Sequence, residues 1–157
     1  MSKEKYILVI ADGSKEMEVA LQYACSRSKK TNRKIIIATF IEPIDVLTTQ
    51  GVTEIMQNEA REEAEKKIQI AASIVKESTG IVPILQIREG EIMKELKALI
   101  DEEKDINVLV IAANVDEKDN NPGPIITSLV SKELSNFRVP VMIVPGHFSK
   151  DHIALLT

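Results

Sequence analysis

Tyr6-Ile7-Leu8-Val9-Ile10-Ala11-Asp12-Gly13-Ser14 is the stretch from which the rest of the chain can be read. Six apolar residues in a row have the length of a strand, and the Asp-Gly-Ser that ends them has turn and helix-capping chemistry. The run therefore predicts a buried first strand. Beyond it, Met17, Ala20, Leu21, Ala24, Cys25 and Ser28 recur at helical spacing, while Lys15, Glu16, Arg27, Lys29 and Lys30 lie mostly off that stripe, which predicts an amphipathic helix. Ile35-Ile36-Ile37-Ala38-Thr39-Phe40-Ile41 follows as a β-branched block without polar alternation. A strand with one wet face would alternate, so this one is covered on both faces, as parallel strands are.

The alternation continues along the chain. Ile55, Met56, Ala60, Ala64, Ile68, Ala71, Ala72 and Val75 fit one long helix from about Val52 to Ser78, with Gly80 as its stop. Val82 to Ile87 reads as a third strand; Ile92, Leu96, Leu99 and Ile100 mark a third helix; Val108 to Ala113 is a fourth strand. After Pro122-Gly123-Pro124, a fourth helix is expected to present Ile125, Leu129, Val130 and Leu134, and Pro140 to Val144 is the fifth strand. Five covered strands alternating with four helices specify a three-layer α/β/α sandwich around a mainly parallel sheet. With 157 residues the chain is expected to be a single domain, 1–157, with a core over residues 5–145 and a tail over 146–157 whose packing the sequence does not reveal.

Composition narrows the function classes. Hydrophobic residues are 44% and charged residues 28% of the chain, the profile of a globular domain. Twenty Lys and Arg against 24 Asp and Glu leave a net charge of −4, so no general attraction to nucleic acid or to an anionic membrane is expected. Cys25 is the single cysteine, which excludes an intrachain disulfide and a two-cysteine redox motif and points to a reducing compartment. The N-terminal apolar run is too brief for a signal sequence or a membrane span, so the cytoplasm is the expected location.

In an open parallel sheet ligands bind outside the carboxyl ends of the strands, where the strand order reverses. Neither a G-x-G-x-x-G turn nor a Gly-Lys-Ser/Thr phosphate loop is present, which disfavours a dinucleotide fold and a P-loop NTPase. A phosphoacceptor receiver needs acidic residues and a lysine at strand ends that here carry Asp12, Arg88 and Pro145. His147 and His152 lie in the tail without a partner at a recognisable spacing, so no metal site is expected, and Cys25 on an apolar helical stripe reads as a core thiol.

Ile7-Leu8-Val9-Ile10-Ala11-Asp12-Gly13-Ser14 before an Ala-rich helix, Ile41-Glu42-Pro43, Arg88-Glu89-Gly90 and Val139-Pro140-Val141-Met142-Ile143-Val144 together resemble the universal stress proteins of the UspA type. The resemblance spans residues 5–145 and implies the adenine nucleotide alpha hydrolase-like fold, with strand order 3-2-1-4-5. Nucleotide-binding members of that family carry a glycine-rich loop after the fourth strand, in which small residues let backbone N–H groups approach phosphates. This chain departs from the pattern: Ala112 or Ala113 stands at the first glycine, Thr127 at the last, and Ser128 alone keeps the hydroxyl. Asp116, Glu117 and Asp119 add negative charge where a polyphosphate would lie. Gly123 is either a backbone turn open to a ligand or a plain cap before Pro124. In that respect the chain is similar to a bacterial branch of the family that lacks the usual glycines.

What the resemblance implies for a site is an adenine nucleotide beside Ala11 and Asp12, with Ile41 as an apolar wall and Gly123, Thr127 and Ser128 near the phosphate. The alternative for Asp12 is a turn or helix cap. In that strand order the fifth strand, short, apolar and bounded by Pro140 and Pro145, lies at the sheet edge, so a homodimer through Val141, Met142, Ile143 and Val144 is expected, the dimer mode common in the resembled family; the tail is expected either to extend over the partner or to be mobile. The resulting expectation is a non-enzymatic stress-response module, acting through protein contacts, with weak or no ATP binding and no required cofactor. The alternative is an adenine-nucleotide sensor or slow ATPase. The charged face of the long helix, with Glu59, Glu62, Glu63 and Glu65 beside Arg61, Lys66 and Lys67, reads as solvated, with docking of a protein client as the other reading.

Overall fold

In the computed structural model, residues 4–43, 50–116, 118 and 120–157 are described. Glu117 and Asp119, two of the three acidic loop residues, lie outside them. The elements run β1 (Tyr6–Ile10), α1 (Met17–Thr31), β2 (Lys34–Ile41), α2 (Gln50–Thr79), β3 (Ile84–Glu89), α3 (Ile92–Glu102), β4 (Ile106–Ala113), α4 (Pro124–Ser128), β5 (Val141–Pro145) and α5 (Lys150–Leu156). The five strands form one sheet in the order β3-β2-β1-β4-β5. Every neighbouring pair is parallel.

The absence of polar alternation in β1 and β2 has a direct structural cause. Ile7, Val9, Ile35 and Ile37 point to one face, where they meet Leu21, Ala24 and Cys25 of α1 and Ile68, Ala71 and Val75 of α2. Leu8, Ile10, Ile36 and Ala38 point to the other, against Leu96, Leu99 and Ile100 of α3 and Ile126 and Leu129. Both sets are removed from water, at about 1.5–3 kcal/mol of transfer free energy for each large side chain. Ala11 lies just past β1, yet its N–H still donates to the Ala38 carbonyl at 2.8 Å.

Four details differ from the sequence reading. First, Ile55 and Met56, expected on the buried stripe of α2, are exposed, and burial begins at Ala64. A helix of 30 residues is about 45 Å long, whereas an eight-residue strand spans about 26 Å, so the start of α2 outruns the sheet. Second, β3 starts two residues later than expected. Val82 is exposed, and Pro83 has no N–H to give a ladder.

Third, the phase of the fourth helix is different. Regular α geometry ends at Ser128 and continues as a π turn (Leu129–Glu133) and a 3-10 turn (Leu134–Asn136). Ile126 and Leu129 are buried, while Val130 and Leu134, predicted on the apolar stripe, are 61% and 46% exposed. The wider turn changes the angle per residue, so a stripe extrapolated at α spacing rotates away from the core.

Fourth, the tail is folded. Ser149 caps α5 by accepting the His152 N–H at 3.1 Å, Ile153 is 2% exposed, and Phe148 packs on the α1 side of the core. The Thr157 and Ser26 hydroxyls are hydrogen-bonded, and Lys30 reaches the Ala154 carbonyl at 3.3 Å. The tail thus lies on its own α1, neither extended nor loose.

Candidate functional site

The order β3-β2-β1-β4-β5 places the reversal between β1 and β4, so the loops at their carboxyl ends define the candidate site. The tip of β1 is pinned from behind: Thr39, itself 3% exposed, donates its hydroxyl to the Ala11 carbonyl at 2.7 Å. Asp12 then turns the chain by accepting the Ser14 N–H at 2.9 Å. The aspartate takes its turn role, although the cap of α1 is Glu16, which makes no side-chain capping bond. Gly13 is left-handed, at φ +74°. The Lys67 side chain from α2 lies across it, so that a Cβ there would come within 2.8 Å of the lysine Cε.

The β4–α4 connection closes on itself. Asn114 N–H donates to the Pro122 carbonyl at 3.1 Å, and Asn114 Nδ2 to the Asn121 carbonyl at 3.1 Å. Asp116 N–H goes to Asn114 Oδ1, Lys118 N–H to Asp116 Oδ1 and Gly123 N–H to Asn121 Oδ1. These are Asx turns, in which short polar side chains take up the backbone donors. Gly123 (φ +125°) is the residue before the helix and Pro124 its first position, the plain capping role. Thr127 donates both its N–H and its hydroxyl to the Gly123 carbonyl at 3.0 Å.

The residues expected to share one pocket line different hollows. Thr127 and Ser128 border an open depression with Asn120, Asn121, Pro122 and Pro124. Ile41 borders a separate cavity of about 180 Å³ with Glu42, Pro43, Gln57, Glu89 and Gly90. Ala11 is fully buried. A cleft of about 380 Å³ lies between the β1–α1, β4 and β5 ends, lined by Lys15, Glu16, Asn114, Asp116, Gly146 and His147 among others. Its two carboxylates outnumber its one lysine, which disfavours an incoming polyanion.

The remaining chemistry-bearing residues have structural surroundings. Burial pushes the Cys25 thiol up, against the weaker opposing pull of the Ser78 hydroxyl, Lys29 and Lys150, so it is held as an unreactive thiol. His147 and His152 set their rings edge-on to Phe148, at 5.2 and 4.7 Å. Among the described residues no three His, Cys, Asp or Glu side chains gather as metal ligands. Arg88, at the end of β3, is held by Glu102 at 2.8 and 3.1 Å and by Glu95 at 3.1 Å. Arg61 on α2 bridges Glu65 and Glu89, as expected of a solvated charged face.

At the edge of the sheet, Met142 and Ile143 are 42% and 38% exposed, whereas Val144 is 2% exposed and Val141 packs against the α3 side of the core. Of the four residues expected at a dimer contact, only the middle two present side chains outward. No described helix is long and apolar enough to cross a membrane.

Residues 4–145 match the family model described as the universal stress protein family. No curated protein sequence matches the chain significantly. Solved structures of similar shape include the universal stress protein UspA from Lactobacillus plantarum, at 13% identity and TM-score 0.73, covering 92% of this chain and 99% of that one. A universal stress protein in complex with cAMP is 21% identical, with TM-score 0.61 and coverage of 92% and 99%. The universal stress protein from Archaeoglobus fulgidus in complex with dAMP is 15% identical, with TM-score 0.60 and the same coverage. At these identities the likeness is one of fold.

Proposed function

The chain belongs to the universal stress protein family, and from that premise we propose that it is a non-enzymatic regulatory module whose carboxyl-end site binds ATP weakly or not at all. The observation that carries this reading is the self-closure of the β4–α4 loop. A triphosphate cradle needs backbone N–H groups free to point at oxygens. Here the N–H groups of Asn114, Asp116, Lys118 and Gly123 already donate within the loop. Each would have to exchange a made hydrogen bond for a new one, a near-neutral trade that leaves little net affinity. Asp116 and Glu16 beside the cleft add repulsion.

The module is proposed to act as a homodimer. β5 is an edge strand bounded by Pro140 and Pro145, and its outward Met142 and Ile143 give an antiparallel partner strand something to bury. Protein clients would then be met by the remaining surface, in a cytoplasmic setting.

A second reading rests on the neighbours solved with cAMP and dAMP: Asp12 and the β1 tip would hold an adenosine monophosphate, with no need of a triphosphate cradle. Calorimetry with ATP, AMP and cAMP separates the two. No heat from any of them at millimolar ligand is the expected result; a monophosphate that binds while ATP does not transfers the assignment to the second reading, and tight ATP binding refutes both. Sedimentation of the chain and of Ile143→Lys tests the dimer, which should dissociate in the variant; a wild-type monomer at micromolar protein would overturn it.

A further inference from the structure

The amino end of the sheet, opposite the carboxyl-end loops, holds a cavity of about 630 Å³ lined by Glu4, Lys5, Lys29, Asn32, Arg33 and Lys34 and by three hydroxyl side chains. Its charge runs against that of the chain. Four cations and one carboxylate line it, in a molecule whose net charge is −4. Glu4 is taken by Lys34, at 2.6 Å. Among the described residues Lys5, Lys29 and Arg33 have no ion pair and no side-chain hydrogen bond, and Arg33 is half-buried. Lys5 and Lys29 are exposed, so all three cations can turn their donors to an incoming anion without breaking an existing pair.

The hydroxyl donors are already spent. Ser28 donates to the Arg33 carbonyl, Thr31 to the Arg27 carbonyl and Thr79 to the Val75 carbonyl. They fix the walls, and among the described residues the groups left without a partner at the space are Lys5, Lys29, Arg33 and the exposed amide of Asn32. Compensation of the α1 dipole accounts for Lys29, in the last turn of that helix. It does not account for Lys5, ahead of β1, or for Arg33, in the α1–β2 turn. Their convergence is produced by the parallel pairing of β1 and β2, in which the Lys34 N–H meets the Lys5 carbonyl at 3.0 Å.

We propose that this amino-end cavity is a binding site for a compact phosphoryl anion, with Arg33 as the planar two-point contact and Lys5 and Lys29 as flanking charges. The site is independent of the carboxyl-end loops and of any reading of them.

The test uses the full chain with two probes, inorganic pyrophosphate and glycerol 3-phosphate, titrated by calorimetry at low salt and followed in parallel by amide NMR. Uptake at one site is expected, with shifts confined to residues near 28–34 and 79–81 and an affinity that falls as salt is raised. Arg33→Gln should weaken binding about ten-fold or more, and Lys29→Gln somewhat less, with the urea midpoint of each variant unchanged. Tighter binding of pyrophosphate would assign the site to inorganic polyanions, and comparable binding of glycerol 3-phosphate to phosphorylated metabolites. Absence of uptake of either probe at millimolar concentration would overturn the proposal, as would shifts centred on 113–128. If Arg33→Gln lowers the urea midpoint, the shift map of the unaltered chain decides.

Discussion

Gly146→Ala would strike the molecule where the backbone is tightest. The Gly146 N–H donates to the Ala113 carbonyl at 2.9 Å, and an added Cβ would stand 2.4 Å from that same oxygen and 2.8 Å from Glu16 Cβ. Ordinary carbon contacts lie at about 3.5–4.0 Å. The methyl group must therefore push back both the end of β4 and the start of α1, and neither is a flexible side-chain tip. Losing the hydrogen bond costs about 1 kcal/mol and overpacking a further 1–3 kcal/mol or so. A total of about 2–4 kcal/mol is a large fraction of the 5–15 kcal/mol typical of a domain. In urea, with a slope of about 1–3 kcal/mol/M, the midpoint should fall by about 0.7–4 M without a change in slope. Gly51→Ala is the control: nothing lies within 4 Å of its added Cβ, and a helical Gly to Ala change should leave stability equal or raise it by up to about 1 kcal/mol. A Gly146→Ala midpoint equal to wild type would refute the claim that the β4, β5 and α1 ends are in rigid contact.

Asn121→Ala removes the acceptor of the Gly123 N–H and should lower stability by about 1 kcal/mol, with faster amide exchange at Gly123. Cys25, fully buried with its thiol pushed up, should resist a maleimide reagent in the native chain and react on unfolding; prompt native labelling would place it outside the core. Glu102 is held below the ordinary value of 4.5 by Arg88. Its contribution is therefore complete above that value and lost as pH falls through the depressed folded-state value. The stability gap between the native chain and Glu102→Gln should close on acidification, as read from urea midpoints across pH; a gap that widens in acid would contradict the ion pair.

The layering is legible because Tyr6–Ile10 of β1 and Ile35–Ala38 of β2 run without polar alternation, the pattern expected of strands covered on two faces. Sequence spacing does not show where α geometry yields to a π turn after Ser128, so it places on the inward stripe Val130 and Leu134, which the structure exposes. The tail was opaque because α5 buries one residue of its own, Ile153, and leans on Phe148 just ahead of it. Around the site, Asp12, Gly123 and Ser128 were visible from their chemistry. Lys67 was not, since nothing in the α2 sequence tells that one lysine among several lies over Gly13. The loop's self-closure did leave a signal in Asn114, Asp116 and Asn121, residues that supply their own backbone with acceptors.

The central strands divide the interior into two rooms with a shared wall. Ile7 and Val9 furnish one, Leu8 and Ile10 the other, and no side chain occupies both. Volume changes in one room need no answer from the next, so paired substitutions across the wall should add while pairs within a room should couple. Lineages can redecorate each room at its own pace, and the architecture outlasts the residues that first built it.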